Sequence, residues 1–307
     1  MAGTPWPETD AMDRALWDQL TILRKRTQAG LSDCRRALAE AEGDIEDAVL
    51  IITGGGFHTN LQRLLFRAQV HAAVSPDGRT AVLIECAAPN RPEVHAEVLN
   101  PFFAAVLAVA GRTPRGADLE AQPLGDTTVG AAAAALSAQI AMPIAVRRWT
   151  RVDVAPGAHG RCAAHVHHRR EVGAIVAVEA PSAAVSAHPA MQQFTDDLAR
   201  WVFHRRPIAH TRADLDATAV AEERAWIHEI LSPLTAEGFT ADEIDERKHR
   251  MFDAWIAKRV LLEQRWGWET DAPTIDAQRR AASLAADGEI RITRFAWFER
   301  GGREHIG

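Results

Sequence analysis

The run "HVHHRR" brings His165, His167 and His168 together. A His-x-His pair on an extended strand sends both imidazoles to one face, which is half of a zinc site. No acid or cysteine lies beside them at ligand spacing, so a third ligand would have to come from elsewhere. A solvated or hydrogen-bonded cluster is therefore the favoured reading, with His165 and His167 as weak metal candidates only. Arginine pairs at Arg147-Arg148, Arg169-Arg170 and Arg205-Arg206 could face a phosphate or an acidic partner, although such pairs usually sit on solvated strand and helix ends. The sequence holds no phosphate loop, dinucleotide fingerprint, zinc-protease helix motif or nucleophile elbow. Gly54-Gly55-Gly56 lacks the strand-turn-helix context of a phosphate loop. No cofactor is expected, and binding is favoured over catalysis.

Cys34, Cys86 and Cys162 are odd in number and far apart, which suits neither a disulfide framework nor a thiolate zinc site. A reducing cytoplasm fits them. The first twenty residues carry acids where a signal peptide needs basic residues, and no later run reaches membrane-spanning length. With 307 residues, 47% of them apolar and 25% charged, the chain can bury cores without staples. A formal net charge of -6 argues against broad affinity for nucleic acid and points to protein partners, a homodimer included, or small ligands. Neither nucleic acid nor a membrane is expected as a direct partner.

The elements that must position these residues read as an α+β protein. Residues 13–52 give three short helices. Leu16, Leu20 and Leu23 stripe the first, Gly30 breaks it, and Ser32 or Asp33 can cap the second, which turns Cys34, Leu38 and Ala41 inward. Gly43 ends the second helix, and Asp44 caps a third with Ile45, Ala48, Val49 and Ile52 on its apolar face. "TGGGFHTN" is a linker. "AQVHAAV" and "TAVLIEC" form a hairpin across Ser75-Pro76-Asp77-Gly78, followed by a helix from about Glu93 to Ala110, an alanine-rich helix and the strand "PIAVRRWTRVDV". The outline repeats in "RCAAHVHHR", "VGAIVAVEA" and a helix through Met191, Phe194, Leu198 and Trp201. Two charged helices between Val220 and Trp268 read as a protruding helical hairpin, with Trp226, Trp255, Trp266 and Trp268 on its seam or as a partner surface. "GEIRITRFAWFER" is a final strand. The expected division is 1–56, 57–153 and 154–307, with the hairpin inserted at about 219–268 of the last part.

The stretch "LRKRTQAGLSDCRRALAEAEGDIEDAVLII" resembles the N-terminal module of the elongation factor Ts family. Its pattern, L-R-x-x-T-G-A-G-x-x-D-C-K-x-A-L-x-E-x-x-G-D-x-x-x-A, is met at Leu23, Arg24, Thr27, Ala29, Gly30, Asp33, Cys34, Ala37, Leu38, Glu40, Gly43, Asp44 and Ala48. Gln28 and Arg35 depart from it. The resemblance runs on, more weakly, through the whole chain. It implies a ubiquitin-associated-like three-helix module, a duplicated core with small antiparallel sheets, a coiled-coil insertion, and a role in binding the GTPase elongation factor Tu and promoting GDP release. Carried over position by position, it makes Arg24, Thr27, Gly30, Asp33 and His168 partner contacts. Cys34 is better read as a small buried residue.

One departure bears on mechanism. Family members carry Thr-Asp-Phe-Val after the second strand, and its aromatic ring enters the GTPase. Here an ungapped placement puts Asn90, Arg91, Pro92 and Glu93 at those positions. A guanidinium replaces a carboxylate, and a small ring replaces a phenyl, which buries far more area. Binding with altered or weakened exchange is the resulting expectation. The alternative is an enzyme or ligand-binding protein that keeps the fold outside translation and uses a site containing His165, His167, His168 and Arg91.

Overall fold

The computed structural model describes residues 14–27, 29–41, 43–52, 67–89, 92–236, 238–269, 271–300 and 304–306. The expected linker at 53–60 lies outside them. The chain divides into two compact units, residues 1–58 with 208–264 and residues 59–207 with 265–307. Elements are numbered in chain order.

The first unit opens with α1 (Arg14–Thr27), α2 (Leu31–Glu40) and α3 (Ile45–Ile52). Leu20, Leu23, Cys34 and Leu38 are buried, as the helical spacing predicts. Thr27 closes α1: its hydroxyl donates to the Leu23 carbonyl at 2.8 Å and accepts from the Ala29 amide at 3.3 Å. The cap expected at Ser32 or Asp33 is corrected, because α2 begins earlier with an extended Gly30 at its N-cap and no side-chain cap. Asp33 lies instead in the first turn, where a carboxylate complements the helix dipole. Gly43 takes φ +90° and returns its amide to the Leu38 carbonyl at 2.8 Å, a left-handed helix ending that a β-carbon would strain.

The charged hairpin belongs to this same unit. Its helices, α8 (Ala217–Leu231) and α9 (Ala241–Ala257), are shorter than the stretch from Val220 to Trp268 suggests. A 3-10 turn at Ser232–Thr235 follows α8, and a reciprocal capping box between Thr240 and Glu243 opens α9. The protruding arm is also corrected. Trp226, Ile227, Phe252, Trp255 and Ile256 share one core with Trp17, Leu20, Leu23 and Leu38 of the three-helix module. Burial of several large apolar side chains, each contributing about 1.5–3 kcal/mol, holds the hairpin down.

The second unit is built on two antiparallel sheets. In the first, β1 (Arg67–Val74), β2 (Thr80–Ala88) and β5 (Ala145–Asp153) lie in the order β1-β2-β5. The turn between β1 and β2 is held by Asp77, whose carboxylate accepts from the Ser75 hydroxyl at 2.5 Å and the Arg79 amide at 3.0 Å. Two-residue strands β3 (Pro123–Leu124) and β4 (Thr127–Thr128) form a small ribbon. In the second sheet, β6 (His159–Val166), β7 (Val172–Ala180), β8 (Arg291–Glu299) and β9 (Glu304–Ile306) follow in sequence order.

Helices cover the outer faces. A 3-10 turn at Pro92–His95 leads into α4 (Ala96–Ala110), which with α5 (Val129–Ile140) packs on the first sheet. On the second sheet, α6 (Ala183–Ala187) and α7 (Pro189–Arg205) pack against β6 and β7, and α10 (Ile275–Ala285) lies on α7. The apolar runs of β2 and β7 are continuous rather than alternating because both faces are covered. Val82, Ile84 and Cys86 of β2 join the α4 and α5 core, while Ala81 and Leu83 meet Ile175 and Ala177 of β7 between the sheets. Gly173 marks the closest approach: a β-carbon there would stand 2.7 Å from Val70 Cγ1 and 2.8 Å from Leu83 Cδ1. Arg148 ties the same two sheets, donating to Glu85 at 2.6 Å, to Glu304 at 2.7 Å and to the Glu299 carbonyl at 2.7 Å.

Substituting Gly173→Ala overpacks the junction between the sheets, and urea titration should register a loss of about 1–3 kcal/mol. An unchanged midpoint would show that the sheets separate freely at this point.

Candidate partner-binding surface

On the three-helix module, two of the residues singled out as partner contacts, Arg24 and Gly30, are drawn into contacts with the hairpin. Arg24 donates twice to Glu223 of α8, both bonds at 2.5 Å, and stacks with its guanidinium 3.6 Å from the centre of the Trp226 ring. Glu223 is only 1% exposed and Arg24 15%. Arg35, a departure from the family pattern, pairs with the neighbouring Glu222 at 2.6 Å. Gly30 makes room for a third arginine, since a β-carbon there would fall 2.4 Å from the terminal nitrogen of Arg259. Arg259 lies over Trp255 at 4.5 Å, and burial lowers its pKa, with Arg24 adding to the effect. Thr27 serves the end of α1, and half-exposed Asp33 pairs with Arg36 at 3.1 Å. Glu222, Glu223 and Arg259 were not legible as site residues. The two acids sit in a mixed-charge helix that reads as a solvated face, and nothing local signals that it folds against residues 24–35.

In the second unit, Asn90 and Arg91 lie outside the described residues. Pro92 opens the 3-10 turn, and Glu93 is exposed on it. His168 is exposed at the turn between β6 and β7, its ring 4.1 Å from that of His167. His165 packs edge-on against Phe203 at 4.9 Å, and His167 stacks on the same ring at 5.9 Å. Burial, with Arg200 next, holds His165 below its ordinary pKa. Among the described residues no group of three His, Cys, Asp or Glu could hold a metal ion. Trp266 and Trp268 are not part of the hairpin seam: they gather against Trp201 of α7, at 6.2 and 5.3 Å.

Each arginine pair has at least one member engaged internally. Arg148 ties the two sheets, Arg206 pairs with Glu299 at 2.8 Å, and Arg205 donates to the Gly267 carbonyl. Arg170 adopts a left-handed φ of +55° and sends its guanidinium to Nδ1 of His71 at 2.9 Å. His71 is 4% exposed, contacts Gln69 through Nε2 at 3.1 Å and lies 4.1 Å from the Phe103 ring. Burial, helped by the Arg170 charge, pushes its pKa down to about 3. Burial likewise raises the thiol of Cys34 to about 11 and that of Cys162 to about 12, so neither is a ready nucleophile.

A helical module carrying a helical hairpin and a two-sheet core make this an α+β protein. Its similarity to known proteins agrees. Elongation factor Ts of Symbiobacterium thermophilum is 29% identical over 289 residues, covering 91% of this chain and 90% of that protein. Elongation factor Ts of Mycolicibacterium paratuberculosis is 28% identical over 294 residues, 91% of this chain and 95% of the other, and that of Clostridium perfringens 26% over 289 residues, 91% and 90%. No protein-family model matches the chain. These homologues, matched along nine-tenths of the chain, support an elongation factor Ts family member.

Removing one partner of a buried pair strands the other charge, so Glu223→Ala should cost about 3–5 kcal/mol in denaturant titrations. The exposed Asp33 pair is the control: Arg36→Ala should stay within about 0.5 kcal/mol. Equal effects would place Glu223 in solvent.

His71 gives a pH signature with a definite sign. Its folded pKa of about 3 lies below the ordinary 6.5, so the unfolded chain binds the proton first. Its stabilising contribution is complete above pH 6.5 and is lost as pH falls through that value. Between pH 7 and pH 5 the wild type should lose about 2 kcal/mol more than His71→Gln does. Parallel curves would mean that His71 is protonated in the folded state.

Proposed function

We propose that this chain binds an elongation factor Tu-type GTPase in the cytoplasm and promotes GDP release more weakly than an ordinary elongation factor Ts, as a divergent paralogue. The supporting observation is a similarity spanning nine-tenths of this chain and of its relatives that nonetheless meets Asn90, Arg91, Pro92 and Glu93 at the exchange motif. Exchange is a linkage effect: a factor lowers nucleotide affinity only by the ratio in which it prefers the empty GTPase. An aromatic wedge that fits only the empty form supplies part of that preference. With Arg91 and Pro92 in its place, the docking surfaces can bind both forms and the ratio shrinks.

Residues assigned to docking are Arg24, Thr27, Gly30 and Asp33 on the module, Asn90 to Glu93 on the core, and His168 at the β6–β7 turn. Engagement of Arg24 by Glu223 makes the hairpin part of the same surface, so the contact would be read from α1 and α8 together. The competing reading, a ligand or catalytic site at His165, His167 and His168, draws no support from rings packed on Phe203.

Stopped-flow release of a fluorescent GDP analogue from elongation factor Tu tests this. The chain should accelerate release less than an ordinary elongation factor Ts, and the double substitution Arg91→Asp with Pro92→Phe should raise the rate by about tenfold or more, equivalent to about 1.4 kcal/mol of coupling. A wild-type rate equal to that of an ordinary factor, or no gain from the double substitution, would refute the weakened-exchange reading.

A further inference from the structure

Between α1, α8 and α9 of the first unit lies a groove of about 430 Å³, within the size range of small-molecule sites. Arg24, Lys25, Lys258 and Arg259 bring four cationic side chains to it, and no carboxylate is among the lining residues. Ile230, Met251 and Ala254 add apolar surface. The spacing explains why these residues converge. Met251, Ala254, Trp255 and Lys258 follow one another at helical intervals along α9 and its end, while Thr21, Arg24 and Lys25 do the same on α1.

One further observation points to a ligand. Trp226 and Trp255, 8% and 5% exposed, also line the groove. Arg24 is matched by Glu223, but Arg259, largely withdrawn from water, has among the described residues only a long 3.4 Å bond to the Trp255 carbonyl. Lys258 and Arg259 thus bring positive charge to a groove with no carboxylate among its lining residues. Each indole already has a guanidinium over its ring, at 3.6 and 4.5 Å, so pairing with an anion is the better-supplied mode than stacking a flat base.

We propose that this groove is a binding site for a small organic anion, its apolar body resting on Ile230, Met251 and Ala254 and its carboxylate or phosphate held by Lys258 and Arg259. The site does not depend on GTPase binding. Its test uses Ala254 and Lys258, exposed residues outside the proposed docking set.

Anilinonaphthalene sulfonate, an aromatic anion, serves as the fluorescent probe on the full chain, with circular dichroism to confirm that the variants fold. Binding should saturate at one probe per chain and weaken by about tenfold or more in Ala254→Glu and in Lys258→Glu, separately. Naphthoate should displace the probe and uncharged naphthyl methanol should not. Non-saturating binding, or binding unaltered in both folded variants, would overturn the assignment. Displacement by an acidic amphipathic helical peptide at lower concentration than by naphthoate would also overturn it, giving the groove to a protein partner.

Discussion

A carboxylate as deeply buried as that of Glu223 needs a cation that follows it out of water. Arg24 does so with a two-pronged hydrogen bond, and Trp226 covers the guanidinium from the other side. Much of the first unit follows from that contact. It fixes α8 against α1, brings Glu222 to Arg35, and sets the end of α9 where Arg259 can lie on Gly30. A buried ion pair of this kind contributes little net stability compared with an apolar isostere, yet it penalises any other packing of the hairpin, because a misplaced hairpin would leave one charge alone. The apolar core shared by α1, α2, α8 and α9 supplies the stability, and the ion pair selects the register.

The second unit obeys a different constraint. Two sheets pressed face to face and capped by helices bury both faces of β2 and β7, which removes the alternation of an ordinary surface strand. Small residues are then needed where backbones approach, and Gly173 meets that need. Polar links are confined to the margins, where Arg148 reaches Glu85, Glu299 and Glu304.

The sequence disclosed local features far better than distant ones. Gly43, Thr27 and the Leu20-Leu23 stripe act within a turn or two of themselves, so the three helices were legible from spacing alone, as were the hairpin at Ser75 to Gly78 and the apolar runs of β2 and β7. Three features were not legible. The cap of α2 is a backbone arrangement at Gly30 that leaves Ser32 and Asp33 unused as caps. The helix α10 is short and buries only Ile275 among its residues. Above all, the hairpin was read as protruding because its mixed charges at helical spacing look solvated. Which of those charges is buried depends on Arg24, nearly two hundred residues away in the chain. The Arg170 contact with His71 escaped for the same reason.

Function divides along similar lines. Similarity to elongation factor Ts proteins runs along the whole chain, and Asn90 to Glu93 are read directly from the sequence, but the proposed docking face joins α1 to α8 only through the contact of Arg24 with Glu223. The account depends on these surfaces still recognising the GTPase after the wedge has gone. Isothermal titration of the purified chain into nucleotide-free elongation factor Tu measures that recognition without relying on exchange. The account predicts a one-to-one complex that GDP weakens only modestly; the absence of any binding heat would contradict it.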